Sequence, residues 1–259
     1  MLTFHQVRLA NTLIRTLFLV AACLVIGLPG ASADIVADTV FNNSDWTLTV
    51  VGKNNGGSVS GNQITTGGNP TAARQVSHGV SAGTTASPSS VFGLHVFNSA
   101  VNPATTNLGQ IGFSIDYDFV FNPFATGNVG AGALVQQNGR FYGANFLGFG
   151  DPANGGYDTI TAYLQESDFL EIDLSNTNPL FINGSNPDFS SGGTTINFGF
   201  ITGNSNSPAN PVAYDATYNF DNFKISAKAV PEPGALSLIL LGMVCSLAAR
   251  RRRAYVLAN

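Results

Sequence analysis

Residues 110–121, with the sequence QIGFSIDYDFVF, decide the fold. Every second position of this stretch is apolar: Ile111, Phe113, Ile115, Tyr117, Phe119 and Phe121. The positions between them carry small or acidic residues: Gly112, Ser114, Asp116 and Asp118. Because successive side chains of a β-strand point to opposite faces, this period of two predicts a strand with one face in a hydrophobic core.

The same alternation recurs from residue 45 to residue 218. The apolar sets are Trp46, Leu48 and Val50; Phe92, Leu94 and Val96; Ile160, Ala162 and Leu164; Ile196, Phe198 and Phe200; and Tyr214, Ala216 and Tyr218. Clusters of Gly, Asn, Ser and Pro between these sets predict turns. We therefore predict an all-β fold, an antiparallel jelly-roll-like β-sandwich, with these sets in its core.

The last apolar set changes its parity. After residue 220 the apolar positions move to Phe223 and Ile225, which predicts a β-bulge at Asp221-Asn222. A short helical turn fits only within residues 162–174. Long loops are expected at 62–90, 183–193 and 203–211, where a site would lie.

Residues 1–33 have the pattern of a signal peptide. A basic start precedes the apolar run 17–28, Pro29-Gly30 ends that run, and Ala31 and Ala33 supply the small residues of a signal-peptidase site. We expect a signal helix cleaved after Ala33, with the export translocon and signal peptidase as partners. An uncleaved anchor helix is the alternative, which the short apolar run disfavours.

The C-terminal residues 230–259 form a second targeting segment. They contain, in order, a proline-rich motif (Val230, Pro231, Glu232 and Pro233), an uncharged apolar run at 234–249 and a basic cluster (Arg250, Arg251, Arg252 and Arg253). The apolar run, about 24 Å long as a helix, predicts a short transmembrane helix. The arginines would hold its end on the cytoplasmic side.

These residues resemble the PEP-CTERM sorting signal of bacterial exported proteins. That resemblance implies processing by exosortase, a membrane-embedded peptidase or transpeptidase that removes the helix during export. An ordinary single-span anchor is the alternative. The chain is thus predicted to comprise a signal peptide (1–33), a β-sandwich domain (34–229) and a sorting signal (230–259), and to pass through the inner membrane to the cell surface or the extracellular space.

Charge and cysteine content narrow the function of the domain. Between Asp34 and Glu232 the chain keeps 5 basic and all 15 acidic residues, a net charge of −10, which argues against nucleic acid as a partner. Both cysteines, Cys23 and Cys245, lie in the targeting segments, so the domain has neither disulfides nor thiol chemistry. Its two histidines, His78 and His95, form no recognised catalytic motif, and the strand parity predicts that His95 is exposed.

The domain also resembles, weakly, the concanavalin-like and carbohydrate-binding jelly rolls of secreted proteins. The stretches that suggest it are 45–47 (DWT), 68–70 (GNP) and 218–223 (YNFDNF). This resemblance implies a fold and no catalytic residue. Phe141, Tyr142 and Tyr157, beside glycine-rich turns, are the candidates for an exposed platform that would stack on an extracellular polysaccharide.

Two groups of carboxylates could act on sugars. Asp116 and Asp118 share one face of a strand, and four acidic residues lie between Glu166 and Asp173. Paired carboxylates hydrolyse glycosidic bonds. A solvated strand face is the simpler interpretation of Asp116 and Asp118, and we predict no catalytic residue. The sequence favours a non-enzymatic surface or matrix protein, with a secreted carbohydrate-active enzyme as the alternative.

A structural calcium ion is the one cofactor that the sequence suggests. Asp221 lies at the predicted bulge of the last strand, and the first strand, which carries Asp34 and Asp38, commonly lies beside the last in a sandwich. Calcium takes six to eight oxygen ligands, often on loops. The alternative is that Asp221 and Asn222 cap the bulge by hydrogen bonding to their own backbone.

Overall fold

The strand predicted at residues 110–121 lies in one of two antiparallel sheets. The structure is a computed structural model that describes residues 32–121, 129–148 and 156–228. Sheet A contains β1 (Ser32–Asp38), β3 (Gly57–Ile64), β4 (Ala73–Val80), β6 (Ile111–Phe121), β9 (Asp158–Leu164) and β13 (Tyr214–Lys228). Sheet B contains β2 (Trp46–Lys53), β5 (Ser90–Val101), β7 (Val129–Gln137), β8 (Arg140–Gly148), β10 (Leu170–Ile172), β11 (Phe181–Ile182) and β12 (Ile196–Ser205).

All described strand pairs are antiparallel, so the predicted jelly-roll-like β-sandwich is confirmed. The strand order is β3-β4-β13-β6-β9 in sheet A, with β1 also on β13, and β11-β10-β8-β7-β12-β5-β2 in sheet B. Two 3-10 helices, Asn43–Asp45 and Glu166–Asp168, are the helical elements of the described residues. The second lies in the stretch where the sequence allowed a helical turn.

The 15-residue strand β13 organises sheet A. One of its sides pairs with β6, while the other pairs first with β4 and then with β1. Between those two partners the register shifts from Asp221 to Lys224, and Asn222 adopts a φ of 50°. The predicted bulge at Asp221-Asn222 is therefore confirmed, as is the prediction that the first strand lies beside the last.

The core between the sheets is largely aromatic. Trp46 is only 6% exposed, which confirms its predicted place in the core. It stacks on Phe41 with ring centroids 5.3 Å apart, and Phe200 and Phe223 meet it edge-on at 5.3 and 5.2 Å. Burying one such side chain contributes about 1.5–3 kcal/mol, so this cluster fixes the packing of the two sheets.

A second apolar layer covers the opposite face of sheet B. Phe92, Leu94 and Val96 of β5 belong to it, together with the covering residues Ile172, Leu180 and Phe181 from the β10–β11 region. The sequence placed the β5 set in the core between the sheets, and that was wrong. His95, predicted to be exposed, points instead into the inter-sheet core and is fully buried.

One predicted loop contains a strand. The segment 62–90 was expected to be a long loop, but β4 occupies its middle and pairs with both β3 and β13. The described part of the chain includes no helix with the length and hydropathy needed to cross a membrane. The predicted signal helix and transmembrane helix lie outside the described residues.

Candidate functional site

The outer face of sheet A is polar and is formed by short side chains. Strand parity places these residues on it: Ser60 and Asn62 of β3, Gln75 and Ser77 of β4, Thr217 and Asn219 of β13, Asp116 and Asp118 of β6, and Thr159 and Thr161 of β9. Nine of these ten are exposed or half-buried, the exception being Asn219. We call this surface the polar face.

Hydrogen bonds between neighbouring strands fix the side chains of the polar face. The hydroxyls of Ser77 and Thr217 lie 3.0 Å apart, and Gln75 Nε2 donates to Asn219 Oδ1 at 3.3 Å. Thr159 Oγ1 donates to Asp116 Oδ1 at 2.6 Å. The groups are therefore ordered before any ligand binds, which lowers the entropic cost of binding.

The bulge of β13 ties the loop at residues 65–72 to the edge of the polar face. Asp221, fully buried, accepts hydrogen bonds from the backbone N–H groups of Asn69 and Asn222. Asn222 Nδ2 in turn donates to Asp116 Oδ2 at 2.7 Å and to the Asn69 carbonyl at 3.1 Å. Burial raises the pKa of Asp221, and its two backbone donors counteract that rise.

Tyr157 is held beside the polar face. Its hydroxyl donates to the carbonyl of Gly67 at 2.7 Å, and the side chain is half-buried. Burial raises the pKa of Tyr157, and the negative charges of Asp221 and Asp118 raise it further, so the phenol is neutral at physiological pH. A second aromatic residue, Tyr163 on β9, is 74% exposed. Two tyrosines therefore accompany the carboxylates and amides of this surface.

Asp118 is the open acceptor of the polar face. It pairs in register with Asn219 of β13 and is half-exposed. No described residue donates a hydrogen bond to its carboxylate. Asp116, two positions earlier, has both oxygens occupied by Thr159 and Asn222. The pair thus offers one free carboxylate to a ligand, and the other is part of the scaffold.

The predicted platform of Phe141, Tyr142 and Tyr157 is not assembled. Phe141 and Tyr142 are 7% and 4% exposed and point to opposite faces of sheet B. Their predicted exposure was wrong because β8 is an interior strand, paired with β7 on one side and β10 on the other. Tyr157 lies apart from them, at the polar face.

The acidic residues from Glu166 to Asp173 have structural contacts. Glu166 Oε2 accepts from the backbone of Phe189, and Asp168 caps its own 3-10 helix through the Gln165 N–H.

The other two carboxylates of this stretch bind basic side chains. Glu171 pairs with Arg140 at 3.2 Å, and Asp173 pairs with the buried Lys53 at 3.5 Å. The four carboxylates therefore stabilise loops, and each has its own partner.

The three carboxylates predicted to bind calcium have separate partners. Asp34, on the exposed part of β1, forms an ion pair with Lys224 at 2.8 Å. Asp38 accepts from the backbone of Val40 and Phe41 and from Trp46 Nε1.

The described residues contain no group of three or more Asp, Glu, His or Cys side chains placed to hold a metal ion. Asp221 accepts a hydrogen bond from the N–H of Asn222. This contact is expected if Asp221 caps the bulge, which is the alternative to calcium binding. Calcium binding stays a prediction.

A polar cluster lies buried between the sheets. Arg74, His78, His95 and Thr202 are each at most 2% exposed. Arg74 Nε donates to His95 Nδ1 at 3.2 Å, and Thr202 Oγ1 lies 3.3 Å from His95 Nε2 and 3.0 Å from His78 Nε2.

These contacts determine the tautomers. Since Arg74 Nε always donates, His95 Nδ1 must accept, and the proton of neutral His95 resides on Nε2. That proton goes to Thr202 Oγ1, whose own hydrogen is then available to His78 Nε2. Burial lowers the pKa of His78 to about 3 and holds that of His95 well below its ordinary value, a shift to which the charge of Arg74 adds.

The chain of hydrogen bonds leaves two buried atoms without partners among the described residues, Arg74 Nη1 and His78 Nδ1. Burial lowers the pKa of Arg74 to about 10, while Asp38 counteracts the shift. The guanidinium also lies 5.6 Å above the ring of Trp46. Each member of the cluster is buried, so no substrate reaches the hydroxyl of Thr202 beside His78 and His95. The sequence did not reveal the cluster, because His78 and His95 are seventeen residues apart.

The predicted signal-peptidase site is described only in part. Ala33 lies in β1, pairs with Ala227 of β13 and is exposed. Ala31, the proline-rich motif and the arginine cluster lie outside the described residues.

Comparison with protein families matches residues 229–253 to the PEP-CTERM protein-sorting motif. A search of curated proteins finds no match. One similar solved structure is the CBM22-1 xylan-binding domain of Xyn10C from Paenibacillus barcinonensis, with 11% identity over 78% of this chain and 100% of that chain and a TM-score of 0.39. SGBP-B from a xyloglucan utilization locus of Bacteroides uniformis is 13% identical over 68% of this chain and 48% of that chain, with a TM-score of 0.31.

Likenesses this distant carry no argument about a ligand. The sorting motif, in contrast, is a direct match to the residues singled out in the sequence. The chain therefore carries a PEP-CTERM protein-sorting motif, which indicates an exported protein, at the end of an antiparallel jelly-roll-like β-sandwich.

Proposed function

We propose that the protein is an exosortase-processed surface or matrix protein whose non-catalytic sandwich binds a neutral polysaccharide on the polar face. The observation that carries the glycan proposal is the ordered polar face itself, with the open carboxylate of Asp118 beside Tyr157. The sorting proposal rests on the match at residues 229–253. Before processing, the chain is held in the membrane by its C-terminal helix.

The chemistry of the polar face fits sugars. Each sugar hydroxyl both donates and accepts hydrogen bonds, and a carboxylate acceptor such as Asp118 forms stronger bonds than a neutral group. The apolar C–H face of a sugar ring packs on an aromatic ring, a contact that the exposed Tyr163 offers. The surrounding amides and hydroxyls supply further partners at fixed positions.

Charge selects among polysaccharides. Asp116, Asp118 and Asp158 lie on or beside the polar face, and the chain from Asp34 to Glu232 carries a net charge of −10. Like charges would repel an acidic polysaccharide. The proposed ligand class is therefore neutral, with hydroxyl groups in place of carboxylates or sulfates.

The alternative, a carbohydrate-active enzyme, would use Asp116 and Asp118 as its pair. Glycoside hydrolysis requires one carboxylic acid with a raised pKa and one ionised partner across the bond. Both oxygens of Asp116 accept hydrogen bonds, from Thr159 and Asn222, which tie this carboxylate to the scaffold. These contacts favour binding over hydrolysis.

Sorting is tested on the full chain in its native host. Changing Pro231, Glu232 and Pro233 to Ala should leave the helix inserted but the protein unprocessed, as judged by the mass of the mature form. Changing the four arginines at 250–253 to Ser should weaken membrane retention of the precursor. Normal processing of the triple-Ala variant would contradict the exosortase proposal and leave an ordinary anchor.

Glycan binding is tested with the fragment 34–228, which contains both apolar cores of the sandwich. On a panel of neutral and acidic polysaccharides we expect retention by neutral members only. Asp118→Asn and Tyr163→Ala should each weaken that retention at least fivefold. Asp45→Asn, which removes one charge away from the polar face, is the matched control. No retention by any polysaccharide, or equal loss in the control, would contradict the proposal.

A further inference from the structure

The side chain of Tyr157 crosses over strand β6. Tyr157 directly precedes β9, and the register of β6 and β9 places it beside Asp118. On its other side Asp118 pairs with Asn219 of β13. The Tyr157 hydroxyl donates to the carbonyl of Gly67, a loop residue that lies close to the amide of Asn219. Because β6 lies between β9 and β13, the tyrosine must reach over β6 to make this contact.

The loop at residues 65–72, which accepts this hydrogen bond, lies over β13. The backbone N–H of Asn69 donates to Asp221 at the bulge. The loop also covers Asn219, which is only 6% exposed and is therefore the exception among the residues of the polar face. The loop thus forms a wall along β13, and Tyr157 joins that wall to the start of β9.

The part of the polar face beside this wall is a channel two strands wide, which we call the β6–β9 channel. Its floor consists of alternate residues of the two strands: Asp118, Asp116, Ser114 and Gly112 of β6, and Thr159, Thr161 and Tyr163 of β9. At a rise of about 3.3 Å per residue, the six steps from Asp118 to Gly112 give a length of about 20 Å. The channel is long enough for several sugar rings, and Tyr157 closes it at the Asp118 end.

The other end of the channel carries an exposed aromatic ring. Tyr163 pairs with Gly112 of β6, and a Cβ atom added to Gly112 would lie 3.6 Å from Cε1 of the tyrosine ring. Because Gly112 has no side chain, the ring has room to lie over β6. The residue is 74% exposed, so the ring offers a surface on which a sugar can stack.

We propose that the β6–β9 channel binds the end of a polysaccharide chain, with the terminal sugar between Tyr157 and Asp118 and the following sugars extending toward Tyr163. The inference rests on the glycan binding proposed above and specifies which part of the glycan is bound. An internal stretch of a chain would have to continue past Tyr157, which crosses its path. A terminal sugar carries a free hydroxyl where an internal one carries a glycosidic bond, and that hydroxyl can donate to the open carboxylate of Asp118.

The test compares two samples of one neutral polysaccharide that differ in chain length. The polysaccharide is the member of the panel above that retains the fragment 34–228 best, and partial acid hydrolysis shortens its chains about tenfold. At equal mass the shortened sample has about tenfold more chain ends. In a calorimetric titration we therefore expect it to bind about tenfold more fragment at saturation. Equal amounts of fragment bound per mass of the two samples would overturn the proposal.

Two variants test whether Tyr157 causes the selection of chain ends. Tyr157→Ala removes the side chain that crosses β6, so internal stretches should bind as well and the difference between the two samples should disappear. Tyr163→Ala, at the other end of the channel, is the matched control and should weaken binding while the difference stays about tenfold. Melting curves verify that the variants fold. If Tyr157→Ala does not fold, Tyr157→Phe, which loses the bond to Gly67, takes its place and should narrow the difference. An unchanged difference in a folded variant of Tyr157 would overturn the proposal.

The failure of this inference is distinguishable from failure of the proposed function. If no polysaccharide of the panel retains the fragment, glycan binding itself fails. If the fragment is retained but the amount bound follows the mass of polysaccharide, glycan binding stands and only the recognition of chain ends fails.

Discussion

The outer faces of the two sheets differ in what covers them. The polar face of sheet A carries Ser, Thr, Asn and Asp and is mostly open to solvent. The outer face of sheet B carries Phe92, Leu94 and Val96 and lies beneath residues of the β10–β11 region. The apolar outer face of sheet B is thus buried as a second core layer, whereas the polar face of sheet A stays accessible to a ligand.

Strand β5 shows the consequence at two adjacent residues. Leu94 points into the outer layer of sheet B, and His95 points into the core between the sheets. Both are fully buried. Because β5 is buried on both faces, its sequence alternation does not indicate which face packs against the other sheet. The prediction therefore assigned Leu94 and His95 to the wrong faces.

The largest expected effect is the loss of stability when a leucine is truncated in either of the two apolar layers. Leu94→Ala in the outer layer and Leu108→Ala in the inter-sheet core should each lower the free energy of unfolding by about 2–5 kcal/mol, because both side chains are fully enclosed. Urea denaturation of the fragment 34–228 measures both. A loss below about 1 kcal/mol for Leu94→Ala alone would show that the outer layer is not a true core.

The second prediction is that stability depends on pH through His95, on the inter-sheet side of β5, and its neighbour His78. His78 and His95 are buried and neutral, with pKa values below their ordinary one, so the unfolded chain binds more protons below about pH 6.5. Stability should therefore fall as the pH is lowered, by about 1.4 kcal/mol per pH unit for each histidine.

Denaturation at pH 7 and pH 5 checks this prediction. The other charged groups near the pair are Arg74, which stays protonated in this range, and Asp38. A variant with Gln at both positions should show a flatter pH profile, if it folds. The same dependence in that variant would assign the effect to carboxylates elsewhere.

A smaller effect is expected at the polar face. Tyr157→Phe removes the hydrogen bond to the Gly67 carbonyl and keeps the ring, so it should cost about 0.5–1.5 kcal/mol. Thr161→Val, at an exposed side chain of β9, is the control and should stay within about 0.5 kcal/mol. Equal values for the two variants would show that the loop at residues 65–72 is not held by Tyr157.

The smallest effect is expected from calcium. An ion bound only to the folded state raises the melting temperature, but each oxygen of Asp221 already accepts a backbone N–H. Melting of the fragment 34–228 in EDTA and in millimolar calcium distinguishes the two interpretations. A higher melting temperature in calcium supports the ion, and an unchanged one supports the hydrogen-bonded cap.

Much of sheet A could be predicted from the sequence, because its strands are apolar on one face and polar on the other. The strand at 110–121 and the bulge at Asp221-Asn222 are confirmed for that reason. The parity shift from Phe220 to Phe223 was sufficient to place the bulge.

The wrong predictions concern residues whose neighbours in space are distant in the sequence, because a local sequence pattern does not identify those neighbours. Phe141 and Tyr142 follow a turn, as exposed residues often do, but two flanking strands bury them. Tyr157 was recognised as a candidate, yet its partner Gly67 is ninety residues away. The sequence also could not show which of the two carboxylates stays open. Thr159 and Asn222 reach Asp116 and not Asp118 only because of how the strands pair.

The pairing of Ser32 with Lys228 has a consequence for engineering. Since the two ends of the domain meet on adjacent strands, a linker of a few residues would close the chain into a circle or join it to a loop of a host protein. New ends could then be opened at the exposed Asn138-Gly139 turn. The sandwich could be displayed within another protein as an insert, with its polar face still turned to solvent.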